Sequence, residues 1–145
     1  MIEKLFTLLE HELQLINELI ALANRQQKAL TSYKLVELEQ LAPYQEEVLK
    51  NLRDAEEFRI KLLTSWLGIT RKDVFNLRLS SLEKKFQSEE ITEIRKLRTE
   101  MKKKLTELIN INTTNRVLTN KATGSINQII SILTSGTNHV CNVRI

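Results

Sequence analysis

Apolar residues recur along the chain in steps of three, four and seven. In the first segment they fall at Ile2, Leu5, Leu9, Ile16, Leu19, Ala23 and Leu30, a heptad seam with one polar gap at Glu12. Leu13 and Ile20 widen the stripe, which suits a helix that touches more than one neighbour. Glu3, Lys4, Glu10, Gln14 and Asn17 take the opposite face. The spacing predicts one long helix from Ile2 to about Leu30.

A break follows at Thr31, Ser32, Tyr33 and Lys34, inferred because hydroxyl side chains compete for backbone groups and favour caps. The pattern resumes at Leu35, Leu38, Leu41, Val48, Leu52, Ala55, Leu62 and Trp66. Pro43 falls inside this run and removes one amide donor. The register resumes on the same face beyond it, so a long kinked helix is expected in preference to two short ones.

Gly68 marks the clearest boundary, because glycine readily takes the left-handed conformation that closes a helix. Thr70 and Asp73 are spaced as a capping box. A short helix should follow, with Val74, Phe75, Leu77, Leu79, Leu82 and Phe86 as its apolar set. Ser88 with Glu89 and Glu90 signals another start, the acids complementing the helix dipole.

The last segment is the longest. Ile94, Leu97, Met101, Leu105, Leu108, Asn112, Asn115, Thr119, Ala122, Ile126, Ile129 and Leu133 keep steps of three and four throughout. If wholly helical, Glu89 to Leu133 would span about 65 Å. Gly124 and the Asn/Thr-rich residues 110–123 are poor helix formers, so a soft zone is expected there. Gly136 should end the helix, leaving residues 136–145 as a flexible tail.

Composition supports this reading. The 145 residues include only 3 glycines and 1 proline, which leaves little turn chemistry for sandwiches, barrels or doubly wound sheets. Aromatics are 5% and charged residues 28%, the profile of long amphipathic helices. The fold expected is all-α: a long-helix antiparallel bundle or coiled coil with two long N-terminal helices, one short helix and one very long C-terminal helix. Net charge is +4, mild for a nucleic-acid binder. One cysteine cannot form an internal disulfide, and no signal peptide or membrane span is apparent, so a cytoplasmic home is expected.

Candidate chemistry is sparse. His11 lacks a second histidine at helical spacing, and His139 and Cys141 form only half a metal site. Glu46 with Glu47, and Glu56 with Glu57, read as solubilising charge among Lys and Arg. No glycine-rich phosphate loop is present, so no catalytic, cofactor or metal site is expected. Arg95, Lys96, Arg98 and Lys102 to Lys104 form the one basic run, spread around the helix without stacking aromatics. Asn112 and Asn115 take seam positions where Leu or Ile would normally sit. A buried Asn needs partners and often sets register; alternatively the pair faces a wet part of the bundle.

The order of helix lengths, the Leu-Gly turn and the series Leu108, Asn112, Asn115 and Leu118 resemble the FlgN family of flagellar export chaperones, over about residues 1 to 135. The resemblance implies a small cytoplasmic helical protein without enzymatic activity. It implies binding of hook–filament junction (hook-associated) proteins, which are kept from premature assembly and delivered to the gate and ATPase components of the flagellar type III export apparatus. Cargo binding would fall on residues 117–135, with Leu118, Ile126, Ile129, Ile130 and Leu133 as the apolar candidates. The end of the chain, residues 138–145, departs from the Tyr- and Gly-containing tail of many members. Ordinary core is the competing reading of the same stripe. A structural coiled coil, an adaptor of another system and a weakly basic nucleic-acid-associated protein are the alternatives, and a homodimer is compatible with the long seam.

Overall fold

A computed structural model describes residues 1–77, 81–82, 84 and 88–137. Among these the chain forms α1 (Ile2–Thr31), α2 (Leu35–Leu67), the five-residue α3 (Arg71–Phe75) and α4 (Ser88–Thr137), with no strand. The all-α expectation holds, as does the sequence of two long helices, a short one and a very long one.

Side-chain pairs fix the directions. Arg59 meets Glu12 and Gln45 meets Gln26, so α2 runs back along α1. Ile94 packs with Leu5 and Leu9 while Asn115 reaches Ala23, so α4 runs parallel to α1 and antiparallel to α2. The helix α1 lies between the other two, and among the described residues the backbones of α2 and α4 do not approach each other. That position explains the wide apolar stripe of α1. Leu5, Leu9, Leu15, Ile16, Leu19, Ile20 and Ala23 are all buried, because this helix has a neighbour on each side.

Burial divides into two apolar clusters. One holds Leu5, Leu9, Ile60, Leu63, Val74 and Ile94. The other holds Leu15, Ile16, Leu19, Ile20, Leu52 and Ala55, with Met101, Leu108 and Ile111 against it. Glu12 lies between them in sequence, only 1% exposed, and it accepts a 2.7 Å bond from Arg59 Nε. The polar gap in the heptad is therefore an interhelical ion pair. Burial pushes the Glu12 carboxyl above its ordinary value, and Arg59 opposes that shift.

Pro43 sits within a continuous α2, as the resumed register predicted. The α2 stripe departs from a strict heptad: Ile60 and Leu63 are buried, whereas Leu35 is exposed. Ile60 and Leu63 pack in the cluster that also holds Val74 and Ile94, so the buried face of α2 widens toward its C-terminal end. The turn after α1 is a Schellman closure in which Lys34 N–H donates to the Ala29 carbonyl (2.9 Å) and Tyr33 N–H to Leu30. Tyr33 occupies the left-handed position at φ 55°, where glycine is usual.

Gly68 closes α2 at φ 62°, and Thr70 and Asp73 complete the capping box of α3. Val74 is buried, but Phe75 is exposed and lies beneath Arg71, 5.7 Å from the ring centroid. A five-residue helix cannot turn two adjacent residues inward, so Phe75 leaves the expected apolar set. Leu82 is buried, and Leu79 and Phe86 lie outside the described residues. The helix α4 runs one residue past Gly136.

Substituting Arg59 by Met strands the Glu12 carboxylate. The expected loss at pH 7 is about 3 kcal/mol. Because the folded-state value of Glu12 is raised, the folded protein holds this proton to higher pH than the unfolded chain. The Arg59→Met penalty should therefore shrink as pH falls through that raised value. Urea unfolding at pH 7 and pH 4.5 measures it, and a paired Glu12→Leu/Arg59→Met variant should recover most of the loss.

Candidate functional site

The seam of α4 begins as core and ends in solvent. Ile91 and Ile94 are buried, Leu97, Met101, Leu108 and Ile111 half-buried, and Asn115 is buried again. Asn115 Nδ2 donates to the Ala23 carbonyl at 2.9 Å and to Gln26 Oε1 at 3.3 Å. Gln45 Nε2 donates to the same Gln26 oxygen at 3.0 Å, so one amide chain joins α4, α1 and α2. The Asn115 Oδ1 is buried without a hydrogen-bond partner among the described residues. The two seam asparagines therefore separate: Asn115 is an interhelical lock, and Asn112 is exposed.

The helix α1 ends at Thr31, about two turns beyond Ala23. In a parallel neighbour the same level falls near residue 123. The remainder of α4, to Thr137, projects past the end of the α1–α2 hairpin by about 20 Å at 1.5 Å per residue. Leu118 and Ala122 are half-buried beside the hairpin. Past it, Ile126 is 53%, Ile129 56% and Leu133 57% exposed, and Ile130 is half-buried. Steps of three and four carry the seam from Asn115 through Leu118, Ala122, Ile126 and Ile129 to Leu133 without a slip. The face that packs on α1 thus continues into the space beyond the end of α1.

The soft zone is nonetheless helical. Thr113, Thr114, Thr119, Thr134 and Ser135 each turn a hydroxyl back to the carbonyl four residues earlier. Such bonds occupy side chains that would otherwise compete with the helix, and they tend to bend it slightly. A Cβ added at Gly124 would meet nothing within 4 Å, so packing does not require a glycine there. From Ala122 to Thr137 the helix carries no Asp, Glu, Lys or Arg.

Sequence reasoning missed Ile132, 62% exposed on the projecting end, because it lies off the seam line. It also missed Tyr33, Leu35 and Val36, which are exposed together at the hairpin tip. Leu35 reads as the first residue of the α2 seam but is exposed, whereas Tyr33 and Val36 fall off that seam.

The remaining candidates are dispersed. His11 is exposed, and His139 and Cys141 lie outside the described residues. Among the described residues no three His, Cys, Asp or Glu stand together as metal ligands. Lys104 pairs with Glu107 at 3.4 Å, while Arg98 and Lys102 edge a cavity of about 370 Å³. Leu5, Leu9, Ile60, Leu63 and Ile94 line that cavity, together with Val74 and Leu82, where α1, α2 and α4 come together. Among the described residues no helix is long and apolar enough to cross a membrane.

These features define an all-α protein in which a short hairpin braces a longer helix and leaves its apolar end projecting. The FlgN protein family matches residues 1–143, and the chain belongs to the FlgN family. Neither a curated protein nor a solved structure matches it.

Asn115→Leu removes an orphaned buried oxygen and restores an apolar seam position. Gln26 keeps its bond to Gln45. The expected result is a thermal midpoint unchanged or raised by a few degrees, as with other polar seam residues that trade stability for register. Asn112→Ala should change stability by less than about 0.5 kcal/mol. Differential scanning calorimetry of the two variants checks both values.

Proposed function

We propose that this FlgN-family chain is a cytoplasmic export chaperone without enzymatic activity. It binds hook–filament junction proteins, keeps them from assembling early and brings them to the gate and ATPase components of the flagellar type III export apparatus. The observation that carries this reading is the projecting end of α4, where Ile126, Ile129 and Leu133 are exposed on a stretch without charged residues. A contiguous apolar stripe left open to water is a protein-binding feature. An amphipathic partner helix laid along it meets anchors at i, i+3 and i+7.

Recognition through such a surface rests on apolar burial and neutral amides, so affinity should depend little on salt. It also gives the soft zone a role. A helix end of low intrinsic propensity, rich in Asn, Thr and β-branched Ile, gains order when a partner covers it. A second copy of the chain covering the same stripe is the competing occupant. It would show as a dimer whose formation competes with cargo binding.

Calorimetric titration with the same organism's junction proteins tests the proposal. Ile126→Asp combined with Ile130→Asp should abolish micromolar binding while the circular dichroism spectrum stays helical. Unchanged affinity in that folded variant would place the cargo site elsewhere. Gly124→Ala adds about 1 kcal/mol of helix propensity. It should slow amide exchange across residues 120–135 and tighten binding by up to about fivefold.

A further inference from the structure

The first apolar cluster does not close on itself. A cavity of about 370 Å³ opens within it, between Leu5 and Leu9 of α1, Ile60 and Leu63 of α2, Val74 of α3 and Ile94 of α4. All of these side chains are buried. Glu56, Phe75, Arg98, Lys102 and Leu105 line the same cavity but are exposed, so they form its mouth. An apolar cavity of about 150 Å³ is enough to take up a benzene-sized group. This one has room for two large side chains of a partner.

The mouth is cationic on its α4 side. Arg98 and Lys102 stand one helical turn apart, and neither is in an ion pair among the described residues. Like charges at that spacing repel and weaken a helix. Glu56 is the one carboxylate lining the cavity among the described residues, and Arg59, the third cation there, is committed to Glu12. The same face of α4 continues as apolar surface. Leu105 is 38% exposed and Ile109, one turn further on, 62%. From Arg98 to Ile109 the strip is about 17 Å long, with cations at one end and apolar side chains at the other.

We propose that this strip and its cavity are a second docking site, for an acidic amphipathic helix of a partner protein. Carboxylates at i and i+4 of such a helix match the one-turn spacing of Arg98 and Lys102. Large apolar residues at i+3 and i+7 fall on its adjoining face, turned to the cavity and Leu105. A helix is the form that fits, because it satisfies its own backbone. An extended segment would find no strand edge to pair with among the described residues.

This site goes beyond the cargo reading and does not rest on it. From Leu105 to Ile126 is about 32 Å along α4. One chain can therefore hold cargo on its projecting end and an acidic partner at the cavity at the same time. The two surfaces also differ in their physics. The projecting stripe carries no charge, whereas the cavity is flanked by two exposed cations, so only the second should weaken steeply with salt.

Fluorescence anisotropy with the full chain tests this. The probe is a labelled, alanine-rich helical peptide of about twenty residues with Glu at i and i+4 and Leu at i+3 and i+7. It should bind at tens of micromolar or tighter, and about three- to tenfold more weakly when salt is raised from about 0.05 to about 0.5 M. The same peptide with Lys in place of Glu should not bind. Arg98→Glu with Lys102→Glu, both at exposed positions, should reverse that preference in a protein of unchanged helicity. Exchanging the two leucines of the acidic peptide for alanine should abolish binding. Equal affinity for the acidic and basic peptides, no binding of either, or no response to the charge reversal would overturn the site. A parent dimer that the same reversal converts to monomer would also overturn it, since a second copy would then be the occupant. None of these outcomes bears on the junction-protein titration with Ile126→Asp/Ile130→Asp, so the two readings stand or fall separately.

Discussion

Everything in this fold depends on α1 being covered from two sides by helices whose backbones, among the described residues, do not approach each other. Only α1 contacts both long partners, and both apolar clusters are built around its Leu and Ile side chains. Each such side chain contributes about 1.5–3 kcal/mol when fully buried. The 370 Å³ cavity lies where side chains of all three long helices converge.

The second consequence is a mismatch of lengths. A helix of 30 residues cannot cover one of 50. Because Ile94 is tied near the start of α1 and Asn115 near its end, the uncovered part must be the C-terminal one. The same side-chain spacing therefore means core over the first half of α4 and open surface over its last third. Nothing local distinguishes Leu97 from Ile126. Only the position of the end of α1 does.

That explains what was legible in the sequence. The α1 seam, the Gly68 closure, the Thr70–Asp73 box and the continuity through Pro43 could be read because each is a local pattern with a local cause. The stripe at Ile126, Ile129 and Leu133 could be read as apolar, yet core and surface stayed equal alternatives, because covering it is a matter of registry between chain segments some 90 residues apart. The α2 core at Ile60 and Leu63 lies off the apolar line from Leu35 to Trp66, because α3 and the start of α4 add neighbours there that no local pattern announces. The fates of Asn112 and Asn115 were inseparable for the same reason: one helical step decides which faces Gln26. Tyr33 carried no signal, since propensity reads a tyrosine near a break as neutral and the strain exists only in the closed turn.

The polar interruptions complete the argument. Glu12 and Asn115 stand at seam positions where an apolar residue would bury more surface, and both reach across to another helix. A purely apolar seam tolerates a slip of one heptad, which would move α4 by about 10 Å along α1. Slipped one way, Ile126 and Ile129 would be drawn alongside the hairpin and the projecting end would lose half its length. Slipped the other way, the contact with Leu5 and Leu9 would be lost. Asn115 prevents both, because in either slipped register its amide would be buried away from Ala23 and Gln26, at a cost of about 1–3 kcal/mol for the unmet group. The last interhelical hydrogen bond before the exposed stripe therefore sets how much of that stripe is exposed, and the length of the surface is held by one side chain.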